Sequence, residues 1–228
     1  MTHRFSAATE AWKLRRFTLS ASVCLGCLVI VAIFFVGRGL FAAVLLTAWV
    51  LIAAVDVFSA YFFRDPVRSI TPEAGAVVSP ADGTVVGIED LPSTSHYPGP
   101  CKRLSIFLSV FNVHVNRAPF DGTVESVAHK PGEFKNAMRA DTTDVNESNT
   151  IRMQTARGSM TVRQISGLIA RRIVCKVKVG ETLAKGEKFG MIKFGSRTEL
   201  YLPTDAEICV KLKDKVQGGA TVVARFPE

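Results

Sequence analysis

The sequence predicts a mainly β domain behind an apolar, helical N-terminus, and three observations predict it. Apolar and almost uncharged residues concentrate before Phe63. After Pro66, short runs rich in Val, Ile and Phe recur between Gly, Pro, Asp and Asn, which punctuate strands and tight turns. No stretch of helical length in that second part sustains a 3.6-residue apolar period.

Taking the elements in order, Phe17 to Val36 is a run of 20 residues without a charge. At about 1.5 Å per residue, a helix of that length crosses the roughly 30 Å apolar core of a bilayer. Gly37-Arg38-Gly39 interrupts the run, and a second apolar stretch continues from Leu40 past Asp56 to Phe63. Residues 1–63 are therefore expected to be a membrane anchor, with helices over 17–36 and 40–63 folded as a hairpin. One span followed by an interfacial helix is the other arrangement. The first run is too long for the apolar part of a signal peptide, and no A-x-A cleavage site follows it. Lys13, Arg15 and Arg16 precede the pair, while Arg64 and Arg68 follow it. The bias of cationic flanks toward the cytoplasm places both ends on that side of the cell membrane.

A formal net charge of +8 favours anionic partners. With no helix-turn-helix, zinc-finger or RNA-recognition pattern, membrane lipid is the expected partner and nucleic acid is not. Cys24 and Cys27 form a C-x-x-C inside the apolar run, without a βαβ context, and read as small packing residues. Cys101, Cys175 and Cys209 are scattered, which suits a reducing compartment.

Residues 64–228 form the expected β domain. Its candidate strands lie in AVVSPADGTVVGI, RLSIFLSVFNVHVNRAP, DGTVESVAH, SMTVRQISG, LIARRIVCKVKVG, KFGMIKFG, ELYLP, EICVKL and ATVVARF, with Asp82-Gly83 and Asp121-Gly122 as turn dipeptides. Lys178 to Gly190 carries a V-x-x-G-x-x-h-x-x-G rhythm, echoed over Leu212 to Val222. That rhythm resembles lipoyl- and biotinyl-type domains, where glycines allow sharp corners between short strands. The expected core is a lipoyl-like, barrel-sandwich type of β-sandwich with internal pseudo-repetition.

Six ordered segments resemble the phosphatidylserine decarboxylases, in particular their short bacterial and archaeal branch. They are Tyr61-Phe62-Phe63-Arg64-Asp65-Pro66-Val67-Arg68, the Ser79-Pro80-Ala81-Asp82-Gly83-Thr84-Val85 turn, and Phe107-Leu108-Ser109 through His114. Gly132 to Ala137 with Asn146-Glu147, Gln164-Ile165-Ser166-Gly167 through Arg171-Arg172-Ile173, and Phe189 to Arg197 complete the set. With gaps, the resemblance runs over nearly all of the chain beyond Tyr61.

Gly195-Ser196 carries the chemistry. A serine hydroxyl can attack the peptide bond that precedes it where the backbone is strained, and glycine before it lowers the steric cost. The resemblance implies that the chain is a zymogen that cuts itself between Gly195 and Ser196. The resulting ester eliminates, and residue 196 becomes a pyruvoyl group after loss of ammonia. Fragments 1–195 and 196–228 (the β and α chains) would stay together as a heterodimer. The pyruvoyl carbonyl would take up the amine of a serine phospholipid as a Schiff base and accept the electrons released on decarboxylation, giving phosphatidylethanolamine in phospholipid biosynthesis. No metal and no added organic cofactor are then required, and four dispersed histidines give no metal-binding spacing.

His114 is the candidate acid–base residue. Asp82 resembles the aspartate that promotes self-cleavage in the family. Many relatives carry a second histidine three residues after the first, and here that place holds Arg117. His129 is a lesser candidate for substrate contact. Lys135, Arg171, Arg172 and Arg197 are candidates for the lipid phosphate, since cationic and especially guanidinium groups pair with phosphate oxygens. The rival reading is a non-catalytic, membrane-anchored adaptor or a lipoyl-type carrier. Met191-Ile192-Lys193 lacks the Met-Lys adjacency of a carrier's modified lysine.

Overall fold

A computed structural model describes residues 7–31, 40–139, 142–168, 172–193 and 195–227. The chain divides into two compact units, Ser6–Asp65 and Pro66–Glu228.

The first unit holds α1 (Ala7–Val31) and α2 (Leu40–Phe62). Helix α1 starts well before the apolar run, because Ala7 to Arg16 is rich in Ala, Glu, Lys, Leu and Arg, all good helix formers. The two helices pack together, and Gly26 lies so close to Trp49 that a Cβ there would stand 3.1 Å from the indole nitrogen. Among the described residues one helical stretch, Ala43–Phe62, is long and apolar enough to cross a membrane. The apolar part of α1, Leu19–Val31, is shorter, and residues 32–36 of the expected first span lie outside the described residues.

The second unit is built from strands. In chain order these are β1 (Ala76–Val78), β2 (Gly83–Leu91), β3 (Cys101–Leu108), β4 (Val115–Arg117) and β5 (Gly122–Lys130). Then come β6 (Ser148–Thr155), β7 (Gly158–Ser166), β8 (Arg172–Cys175), β9 (Thr182–Leu183) and β10 (Lys188–Lys193). The chain ends with β11 (Ser196–Leu202), β12 (Glu207–Ile208), β13 (Lys215–Val216) and β14 (Val222–Arg225). Eight of them form one sheet in the order β13-β2-β3-β11-β7-β6-β5-β9, and two three-stranded sheets run β1-β14-β12 and β4-β10-β8. Every pairing between these strands is antiparallel, so the unit is mainly β, as the punctuation predicted.

Strand β6 is absent from the expected runs. Its spelling, S-N-T-I-R-M-Q-T, is polar, yet Ile151 and Met153 supply the buried face at period two. The main core packs Val85, Leu104, Ile106, Leu108, Ile151, Met153, Val162, Phe189, Leu200 and Leu202. Strand β11 lies near the middle of the large sheet and is buried at every position, on both faces. That burial is what sets the site.

Candidate active site

The chain changes sheets at the predicted cleavage point. Strand β10 belongs to a three-stranded sheet and pairs Lys193 with Arg172, whereas β11 opens in the large sheet with Ser196 between Leu108 and Ser166. Gly195 makes the corner at φ +65°, in the left-handed region that a side chain occupies only at a cost of about 1–2 kcal/mol. Its carbonyl is wedged against Gly167, where an added Cβ would lie 2.3 Å from the Gly195 oxygen. Gly167 is thus demanded by the close approach of two backbones, and Gly195 by its positive φ.

Ser196 is fully buried, and its Oγ makes no hydrogen bond among the described residues. An unsatisfied buried hydroxyl costs about 1–3 kcal/mol, so such a group calls for an explanation. The next polar side chains on that face do have partners. Asn116 donates to Thr198 at 3.2 Å, Gln164 donates to Asn116 at 2.9 Å, and Asn149 donates to Gln164 at 3.0 Å.

His114, also fully buried, sits on the loop between β3 and β4. Its Nδ1 lies 2.9 Å from the Asn112 carbonyl, and its Nε2 lies 3.4 Å from the Gly195 amide nitrogen. A carbonyl only accepts and an amide N–H only donates, so these partners assign the neutral tautomer with the proton on Nδ1. The loop is braced by Asn112, whose side-chain oxygen accepts from both the backbone and the hydroxyl of Ser109, each at 2.8 Å. The imidazole therefore presents a basic nitrogen to the residue whose carbonyl would be attacked.

Asp82 lies on the other side of β3. Thr84 pairs with Phe107 and Ser196 with Leu108, so Asp82 and Ser196 flank the same end of that strand. The carboxylate is held on both oxygens, by the Arg68 guanidinium at 2.7 Å and by the Gly218 amide at 2.7 Å. Arg117 joins the surrounding loops: its guanidinium donates to the Gly186 carbonyl at 3.1 Å and its amide to that of Pro80 at 3.0 Å. Arg117 thus braces the loops that carry Pro80 and Gly186.

The remaining candidates separate. Arg172 is exposed and lies opposite Lys193, two residues before Gly195. Arg171 lies outside the described residues. Lys135 is exposed and pairs with Glu133 at 2.8 Å, on the segment that leads to Ala137 beside Gly167. His129 is half-exposed and meets Glu147 at 2.9 Å. Arg197 is buried on the face of β11 opposite Ser196, where its guanidinium donates to the Ser105 hydroxyl at 2.7 Å.

Two residues of the site carry no obvious chemical label in the sequence. Asn146 is buried and ties three points together: it accepts from the Lys135 amide at 2.9 Å, and donates to the Lys135 carbonyl at 2.9 Å and the Ser166 carbonyl at 2.8 Å. It fastens the 133–137 segment to the strand that flanks Ser196. Gly167 is the other. Both fall within resembling segments, but only the register shows what they touch.

Three apolar side chains stand exposed near this buried centre. Phe111 follows Val110, which would meet a Cβ on Gly195 at 3.9 Å; Met138 follows Ala137, and Leu168 follows Gly167. All three side chains are exposed.

Comparison with known proteins agrees with the segments. A family profile described as Phosphatidylserine decarboxylase matches residues 55–224. A protein of Pelobacter propionicus named phosphatidylserine decarboxylase proenzyme is 46% identical over 77% of this chain and 80% of its own length. Proteins of the same name from Carboxydothermus hydrogenoformans and Ralstonia nicotianae are each 44% identical. The first covers 77% of this chain and 83% of the relative, and the second covers 75% and 80%.

Proposed function

Because the chain belongs to the phosphatidylserine decarboxylase family, we propose that it is a self-processing enzyme that removes carbon dioxide from the serine headgroup of phosphatidylserine. The observation that carries this reading is the buried Ser196 hydroxyl, without a hydrogen bond among the described residues, directly after a left-handed glycine whose amide faces His114.

In the processing step the Ser196 Oγ adds to the Gly195 carbonyl carbon and passes its proton toward His114. The Gly195–Ser196 C–N bond breaks, and the nitrogen of residue 196 takes up a proton, leaving an ester. Loss of the residue 196 Cα proton then expels the Gly195 carboxylate as the new C-terminus of fragment 1–195. Water replaces the nitrogen on residue 196, ammonia leaves, and a pyruvoyl group remains. Asp82, held between Arg68 and Gly218, contributes a fixed negative charge at the same end of β3.

The site fits such a group: residue 196 sits in a buried backbone cradle formed by Leu108 and Ser166, with Gly167 leaving no room for a side chain over the corner. When formed, the pyruvoyl group supplies the electron sink for the carbanion left at the serine Cα. His114 is the group that returns a proton to that carbon. Burial of residue 196 and His114 keeps bulk water from competing.

Phe111, Met138 and Leu168 form the apolar approach expected for a lipid, and Arg171, Arg172 and Lys135 are the cations offered to its phosphate, with His129 at the edge. Strands β11, β13 and β14 of fragment 196–228 pair with β3, β7, β2 and β1 of fragment 1–195, so the two pieces remain one fold. The same reading takes the sheets as a lipoyl-like sandwich. It takes α1 and α2 as a hairpin that holds the enzyme at the cytoplasmic leaflet of the cell membrane.

A denaturing gel of the purified protein tests the reading. Wild type should give two fragments, and Ser196→Ala one intact, inactive chain. An intact Ser196→Ala chain that still releases carbon dioxide from phosphatidylserine would end it.

A further inference from the structure

Cleavage before residue 196 turns the reactive residue into a chain end, and chain ends fray unless something ties them down. The tie lies on the opposite face of β11. Glu199 is fully buried and collects three guanidiniums: Arg197 Nε at 3.2 Å, Arg163 Nη1 at 3.5 Å and Arg103 Nη1 at 3.9 Å. The Tyr201 hydroxyl donates to it at 2.7 Å. Arg197, the first residue after Ser196, also donates to Ser105 on β3. Arg163 reaches from β7 to the Thr143 carbonyl at 3.0 Å, and Arg103 on β3 reaches Glu89 at 2.7 Å. Burial pushes the Arg197 pKa down, and the Glu199 carboxylate opposes that shift and favours the charged form.

Burying ions this deeply costs several kcal/mol each in lost hydration, and apolar residues of similar volume would often stabilise a sheet as well or better. A cluster of this kind is better explained by position than by stability. It links the strand that begins at residue 196 to both of its neighbours, through side chains that project away from the reactive face.

Resting on the self-cleavage reading above, we propose that Arg197 and Glu199 form the anchor that keeps residue 196 in its reactive place once the preceding bond is cut. Arg197 is a positioning residue: its side chain meets Ser105 and Glu199 on the face turned away from Ser196, and it holds the backbone of the new chain end in register. A displacement of about 1 Å at a reacting centre costs on the order of 100-fold in rate, so the anchor matters to turnover more than to binding.

The test uses the full-length protein in detergent, with Arg197→Met, Arg197→Lys and the milder Ser105→Ala. All three should yield both fragments on a denaturing gel. Arg197→Met should lose about 10- to 100-fold in kcat with KM within about twofold, the signature of misplacement rather than lost binding. Arg197→Lys should recover part of the loss, and Ser105→Ala should lose a few-fold in kcat alone. A cleaved Arg197→Met with wild-type kcat, or a loss carried in KM, would overturn the proposal. If Arg197→Met does not fold, Ser105→Ala decides, and wild-type turnover there overturns it. An uncleaved wild type would instead remove the self-cleavage reading on which the anchor rests.

Discussion

Along β11 the side chains at 196 and 198 look into the core, while those at 197 and 199 look out of it, and the two faces carry different chemistry. On the inner face Ser196 is buried with its hydroxyl unspent, beside a corner that only glycine makes easily. On the outer face Arg197 and Glu199 are as deeply buried, yet sit in a dense set of ion pairs. On the proposed reading one strand carries a reactive side and a fixed side, one residue apart. The lesson is that a group poised to react needs neighbours that do not move, and period-two geometry supplies them at no distance.

The comparison can be broken most severely on the inner face. His114→Gln removes the basic nitrogen aimed at Gly195 while keeping much of the volume, and should slow self-cleavage by about 100- to 10,000-fold. Intact chain remaining on a time course of denaturing gels reads this directly. Unchanged cleavage would show that the imidazole only packs.

Gly167→Ala is the next largest. Its Cβ would fall 2.3 Å from the Gly195 oxygen, and a strand backbone cannot yield that much without shifting the corner. Cleavage should slow by about 100-fold, with about 1–3 kcal/mol of stability lost to overpacking. Denaturant unfolding of the same variant, made also in a Ser196→Ala background, separates the two effects.

Asn146→Ala sharpens the comparison from outside the strand. It leaves the buried Ser166 carbonyl and both polar groups of Lys135 without their partner, which should cost about 2–3 kcal/mol. Hydrogen exchange should show the 133–137 segment opening, while the pairing of β3 with β11 stays protected.

The smallest expected effect is a pH dependence at the edge of the charged face. Burial lowers the His96 pKa, with a further push from Arg163, although Glu199 and Asp144 act the other way. The folded protein thus disfavours the protonated ring that the unfolded chain accepts near the ordinary histidine pKa. Stability is full above that value and declines as pH falls through it. His96→Gln should flatten the loss of Tm between about pH 7.5 and pH 5.5.

The outline of all this is legible in the sequence, for reasons that differ by region. The apolar helices and most strands follow from composition and punctuation. Gly195, Ser196 and His114 are legible because they sit in segments that resemble the family's, while the contact between His114 and Gly195 spans 81 residues of chain and appears only in the fold. Strand β6 was hidden because only Ile151 and Met153 mark its buried face. The start of α1 escapes an apolar pattern because its first turns are helical by propensity alone. The charged cluster could not be read at all, since it depends on the register that brings Arg103, Arg163 and Glu199 side by side from three distant stretches. The sequence offers Arg197 as a cation for the lipid phosphate for that reason, and the sheet shows it buried on the face away from Ser196.

The claim at the centre is that residue 196 ends as a carbonyl on a new chain terminus. Intact-mass spectrometry of the active, denatured protein, with and without a hydrazine reagent, measures it. The account predicts two chains, the smaller beginning at residue 196 with a blocked terminus that gains one hydrazone. A fully active sample of one mass, with the Gly195–Ser196 bond whole and no hydrazone formed, would contradict it.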